Sequence, residues 1–157
     1  MIENTCFVRL LKITKKAGRS PISDKKESKV SVDGQLKLGE HFICDLSDCN
    51  RELLLDSERS RELFTQAVRE SGLTIVSEGF YKFSPHGFTC FLLLAESHAS
   101  LHAWPEYGYC AIDLFTCSLE MDIRPLVQEL QTLFGSEHCS VRTIDRNTVL
   151  VPVEELT

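Results

Sequence analysis

Between Glu96 and Cys117 the chain gathers Glu96-Ser97-His98, His102, Trp104-Pro105-Glu106 and Cys117, so that carboxylates, a hydroxyl, imidazoles and a thiol share one short segment. A hydroxyl or thiol near an imidazole is the material of nucleophilic and acid–base catalysis. His98 and His102, four residues apart with Glu96 close by, also invite a zinc reading. That reading fails on local structure: Leu101 to Trp104 has the pattern of a strand, where residues four apart need not converge as they do on a helix, and no HExxH order is present. A catalytic zinc is not expected from this pair.

The elements that must position these residues begin near Gly39, where His41-Phe42-Ile43-Cys44-Asp45-Leu46 alternates like a strand with one buried face. Asp56 or Ser57 caps a helix in which Leu63, Phe64, Ala67 and Val68 recur at helical spacing. Glu58 sits in its first turn, and Gly72 stops it after about Ser71. Thr74 to Phe83 and Phe88 to Ala95 form a hairpin across Ser84-Pro85-His86-Gly87. Leu101 to Trp104 and Tyr109 to Thr116 extend the sheet, with Pro105 and Gly108 marking the bend. Pro125 opens a second helix with an apolar stripe of Leu126, Val127, Leu130, Leu133 and Phe134, ended by Gly135. Cys139 to Ile144 and Thr148 to Val153 read as two late strands separated by Asp145-Arg146-Asn147. Grouped strands separated by single helices imply an α+β two-layer sandwich, a mostly antiparallel sheet with two helices packed on one face.

With 157 residues the chain is sized for one compact domain, 39–157. Residues 1–38, rich in Lys with Ser, Gly and Pro, read as a basic, mobile extension in which Cys6 to Ile13 has enough apolar bulk for a short strand. Hydrophobic residues at 43% and charged residues at 25% are ordinary globular proportions. No apolar run approaches the about 20 residues of a membrane helix, and no secretory signal is recognisable, so a soluble cytoplasmic protein is expected. Seven cysteines form an odd set without a CxxC pair, consistent with reduced thiols. A net charge of −6 with its basic cluster confined to the N-terminus argues against a nucleic-acid partner.

Read in full, ESHASLHAWPEYGYCAIDLFTC resembles the self-processing segment of the small prokaryotic S-adenosylmethionine decarboxylases, enzymes that make a pyruvoyl cofactor from an internal serine. The resemblance runs from Gly39 to about Arg146 and is densest from Phe83 to Cys117. It implies that the Ser97 hydroxyl attacks the preceding carbonyl, converting peptide to ester. Elimination then cuts between Glu96 and Ser97, leaving a β chain of 1–96 and an α chain of 97–157 headed by dehydroalanine, which water hydrolyses with loss of ammonia to a covalent pyruvoyl group. That carbonyl forms a Schiff base with the substrate amine and accepts the electrons released with CO2. The resemblance assigns His102 to the elimination, Thr89 to assisting the acyl shift, and Cys117 to reprotonating the substrate carbon. Glu106 is matched to the ribose hydroxyls, and Phe83 and Trp104 to the walls of the site.

Four positions depart from the family pattern: Tyr81 where histidine is common, Ala99 where a larger apolar residue sits, Ala103 where HTWPE has threonine, and Ser118 where FTCG has glycine. None removes a catalytic group named above. S-adenosylmethionine is the implied substrate and the aminopropyl donor for spermidine synthesis the implied product. Arginine or ornithine decarboxylation on the same scaffold, and a non-catalytic activating subunit, are the alternatives. Glu106 favours the nucleoside, since a carboxylate facing ribose has a purpose there. The family further implies a homodimer of processed αβ protomers with pockets near the interface.

Overall fold

The computed structural model describes residues 35–118 and 120–150. Six strands form one sheet in the order β2-β3-β4-β5-β1-β6, every neighbouring pair antiparallel. In chain order they are β1 (Gln35–Ser47), β2 (Ile75–Lys82), β3 (Phe88–Leu94), β4 (Ser97–Trp104), β5 (Tyr109–Thr116) and β6 (His138–Leu150). Among the described residues the helices are α1 (Arg51–Leu55), α2 (Ser57–Glu70) and α3 (Arg124–Phe134), with a 3-10 turn at Pro105–Tyr107.

Helix ends follow the sequence signals. The Asp56 carboxylate caps α2 by accepting from the Arg59 N–H at 3.1 Å, and Glu58 in the first turn and Arg69 in the last complement the helix dipole. Pro125 sits in the first turn of α3, and Gly135 closes it at φ 61°, a left-handed conformation in which a side chain would be strained. The apolar stripes of both helices meet one face of the sheet. Phe42, Cys44 and Leu46 of β1, Cys90 and Leu92 of β3, Leu101 of β4 and Ile112 of β5 join Phe64, Val68, Leu126, Leu130 and Phe134 in a single buried cluster. Alternation puts the intervening residues on the opposite face, which carries His41, Thr89, Phe91, His98, His102, Asp113 and Phe115. None of the described helices covers that face.

The structure corrects the sequence reading at several boundaries. β4 begins at Ser97, not Leu101, so the Ser97–Ser100 stretch is sheet backbone paired with Leu94–Phe91 on one side and Thr116–Asp113 on the other. The two late strands are one: β6 runs unbroken from His138, because Asp145-Arg146-Asn147 has turn-like composition but lies opposite β1. Register shifts between Leu36 and Lys37 and between Lys37 and Gly39 absorb the irregularity. β1 starts at Gln35, inside the stretch whose composition reads as an extension, and the possible strand at Cys6 to Ile13 lies outside the described residues, as do residues 151–153. The short helix α1, capped by the Asn50 side chain accepting from Leu53 N–H at 3.1 Å, is an addition the periodicity did not reveal.

Candidate active site

Ala95 and Glu96 form the tip of the β3–β4 hairpin, and three hydrogen bonds fix it. The Ala95 N–H donates to the Thr74 carbonyl at 2.9 Å, and the Thr74 N–H donates to Glu96 Oε2 at 3.0 Å. The third is the Cys117 N–H, which donates to the Glu96 carbonyl oxygen at 3.0 Å. Glu96 is thereby gripped through both side chain and main chain. The next residue, Ser97, has φ 151°. This is a region that glycine favours, and a side chain held in such a sparsely populated conformation costs on the order of 1–3 kcal/mol.

Ser97 Oγ lies 3.3 Å from His98 Nδ1. The His98 imidazole stacks on Phe91, with centroids 5.6 Å apart and planes at 21°, and meets Phe115 at 5.9 Å and His41 at 6.4 Å. Burial holds its pKa below the ordinary histidine range, reinforced by His41 and Arg146 and opposed by Asp113. His41 links the charged groups: Arg146 Nη1 approaches its Nδ1 at 3.4 Å, and its Nε2 stands 3.4 Å from Asp113 Oδ1 without hydrogen-bond geometry.

A second constellation occupies the other end of the same face. Thr89 and His102 are direct partners across β3 and β4, with Thr89 Oγ1 2.8 Å from His102 Nδ1. His102 neighbours Trp104 at 6.2 Å, and Trp104 neighbours Tyr109 at 5.6 Å. Tyr109 donates its hydroxyl to Asp45, which pushes its pKa up to about 12. Phe83 lies just beyond β2, half-exposed and in edge contact with Tyr81 at 5.0 Å, and Glu106 is exposed on the 3-10 turn that follows Trp104.

The residues singled out from the sequence therefore fall into two groups. Ser97, Glu96 and Cys117 come together at the β3–β4 tip. Thr89, His102, Phe83, Trp104 and Glu106 belong to the opposite end. At about 3.3 Å per strand residue, the five-residue step from Ser97 to His102 spans roughly 16 Å, far outside proton-transfer reach within one chain. The same rise separates His98 from His102 by about 13 Å, too far for one metal ion. Among the described residues, no group of three or more His, Cys, Asp or Glu is arranged to hold a metal.

His98 entered the sequence analysis only as half of a zinc pair, and its contact with Ser97 was not foreseen. Adjacent residues on a regular strand face opposite sides, so the contact between Ser97 and His98 exists only because the backbone at Ser97 departs from regular strand geometry. The only available sign was adjacency to Ser97.

Comparison with known proteins narrows the class. The model of the family described as S-adenosylmethionine decarboxylase matches residues 40–147. The S-adenosylmethionine decarboxylase proenzyme of Thermosipho melanesiensis is 38% identical over 104 residues, covering 66% of this chain and 80% of that one. The proenzyme of the same name from Pseudomonas aeruginosa is 37% identical over 109 residues, covering 69% of this chain and 68% of its own length. The crystal structure of the adenosylmethionine decarboxylase from Aquifex aeolicus matches with a TM-score of 0.65 at 33% identity, covering 72% of this chain and 93% of that one. Fold and site together define a two-layer α+β decarboxylase. More narrowly, the chain belongs to the S-adenosylmethionine decarboxylase family.

Proposed function

We propose that this chain is a proenzyme that cuts itself between Glu96 and Ser97 and then decarboxylates S-adenosylmethionine to the aminopropyl donor of spermidine synthesis. The observation that carries the reading is the geometry of the bond to be cut. Ser97 is held at φ 151°, and the Glu96 carbonyl already accepts the Cys117 N–H at 3.0 Å. The strain is relieved when the bond rearranges, and the N–H stands where negative charge develops on the carbonyl oxygen.

The donor set fits a pyruvoyl group made in place. The hydroxyl, the polarised carbonyl and a neighbouring imidazole are contiguous, and formation of the group uses atoms of the chain and one water. Once present at the head of residues 97–157, such a group supplies an electrophilic carbonyl that accepts the electrons left by the departing carboxylate. The chain's own part is to hold and protonate. In this reading Cys117, whose N–H meets the Glu96 carbonyl, returns a proton to the substrate carbon, Glu106 accepts from the ribose hydroxyls, and Phe83 and Trp104 present aromatic faces to the base and the sulfonium.

Two ends of one face must meet for these roles to combine, and a homodimer achieves this. The open face exposes Phe91, Trp104 and Ile144 at 42%, 39% and 46%, apolar surface of the kind that marks an interaction site. A two-fold axis lying between two packed open faces and running across the strands sets the Ser97 end of one protomer against the Thr89–His102 end of its partner, and symmetry makes the contact reciprocal. The six described cysteines are free thiols, in keeping with a cytoplasmic location.

Intact mass of the purified protein tests the cleavage, with two fragments divided after Glu96 expected. CO2 release from carboxyl-labelled S-adenosylmethionine, arginine and ornithine then tests the substrate. An active preparation with an unbroken chain, or release from a basic amino acid alone, refutes the reading.

A further inference from the structure

Within its own chain Ser97 has His102 about 16 Å away along the strand, whereas the His98 imidazole touches its hydroxyl at 3.3 Å. We infer that His98 is the catalytic base of the acyl shift, its Nδ1 taking the Ser97 hydroxyl proton as Oγ attacks the Glu96 carbonyl carbon. The inference rests on the self-cleavage reading above and assigns a separate residue to its first step.

Three features support the assignment. Nδ1 is 3.3 Å from Oγ, a looser version of the contact that tightens in the transition state. The ring is packed against Phe91, Phe115 and His41, so its orientation is fixed before reaction. The groups facing it from the neighbouring strands are His41 on β1, Asp113 on β5 and Arg146 on β6, with uncharged Phe91 on β3. Burial, with His41 and the Arg146 guanidinium alongside, outweighs Asp113 and favours the neutral imidazole, the form able to accept a proton.

The step balances within the chain. The hydroxyl proton moves to Nδ1 and a bond forms from Oγ to the Glu96 carbonyl carbon. The carbonyl electron pair moves to an oxyanion held by the Cys117 N–H. On collapse the carbon–nitrogen bond breaks, and the imidazolium returns its proton to the Ser97 nitrogen. An ester and a free amine result, with no outside reactant. His102 of the second copy then serves the later removal of the Ser97 α-proton, so the two histidines act in different steps on different bonds.

Hydroxylamine separates those steps, since it cleaves an ester at neutral pH and leaves ordinary amides intact. His98→Gln is expected to cut at least about 100-fold more slowly than the unmodified chain and to stay intact in hydroxylamine, having stalled as the amide. His102→Ala is expected to stay uncut in buffer yet split in hydroxylamine, having stalled as the ester. A His98→Gln chain that cuts at the unmodified rate, or that accumulates ester, overturns the inference. Arg146→Gln leaves both Ser97 and His98 in place and provides an independent reading. Removing that cationic neighbour raises the pKa of His98, so the fall in cutting rate with decreasing pH should shift to higher pH, and an unmoved profile overturns the inference. Failure of the unmodified chain to cut at all refutes self-cleavage itself, whereas normal cutting by the unmodified chain and by His98→Gln refutes only the role of His98.

Discussion

A Ser97→Ala chain and a His102→Ala chain, each unable to cut itself, are expected to restore cutting when co-expressed. Ser97 and His102 are separated by about 16 Å of strand, whereas proton transfer requires heavy atoms within about 3 Å. On the proposed mechanism the two residues would therefore act together only across a two-fold interface. In a hybrid dimer one site combines Ser97 from the His102→Ala chain with His102 from the Ser97→Ala chain, while the other site lacks both. If the chains pair at random in equal amounts, about half of the dimers are hybrids, so about half of the His102→Ala chains are cut and no Ser97→Ala chain is. Tags of different mass on the two chains make the fragments separable by denaturing electrophoresis and by intact mass. A chain carrying both substitutions provides the reciprocal control: mixed with unmodified chain, it should leave about half of the unmodified chains uncut, because neither site of that hybrid is complete. Uncut His102→Ala chains in the first mixture, or full cutting of unmodified chains in the second, would refute a site shared between protomers.

Cys117→Ala keeps the backbone N–H that meets the Glu96 carbonyl, so it should still yield two fragments but release product poorly or with its intermediate misprotonated, as mass analysis of the reaction and the terminus would show. Glu106→Gln should raise KM for S-adenosylmethionine by roughly 10- to 100-fold, the loss of a hydrogen bond to a charged group, while the fraction of cut chain stays unchanged on electrophoresis. Phe64→Ala empties a fully buried position beneath the sheet and should lower stability by about 3–5 kcal/mol, measured by urea denaturation of the processed protein.

Much of the scaffold was legible because its signals are local. Asp56 and Gly72 bound α2, Pro125 and Gly135 bound α3, and the period-2 alternation in Phe88–Leu94 and Tyr109–Thr116 marks which side chains reach the core. The same locality misled at β6. Asp145-Arg146-Asn147 has turn composition, and only pairing with β1, a partner about a hundred residues away in the chain, holds it extended. At β4, Ser97 to Ser100 carries too little apolar bulk to read as strand, yet it lies between β3 and β5 and is paired on both sides. The site was legible in its residue types, and much less so in its geometry. A five-residue offset pairs His102 with Ser97 by resemblance, but only the strand geometry shows that the two lie about 16 Å apart within one chain. The approach of His98 to Ser97 depends on one backbone dihedral, which no pattern of residue types encodes.

The strand order also determines the fate of the two pieces once the chain is severed. Residues up to Glu96 contribute β1, β2 and β3, and residues from Ser97 onward contribute β4, β5 and β6, so across the sheet the pieces alternate as first, first, second, second, first, second. They adjoin along β3–β4, β5–β1 and β1–β6, each a full antiparallel ladder. Pulling them apart would strip β1 from both of its neighbours and open the core between α2 and α3, which lie on different pieces. The nicked protein therefore stays woven together without any covalent link, and the cut frees only a hairpin tip.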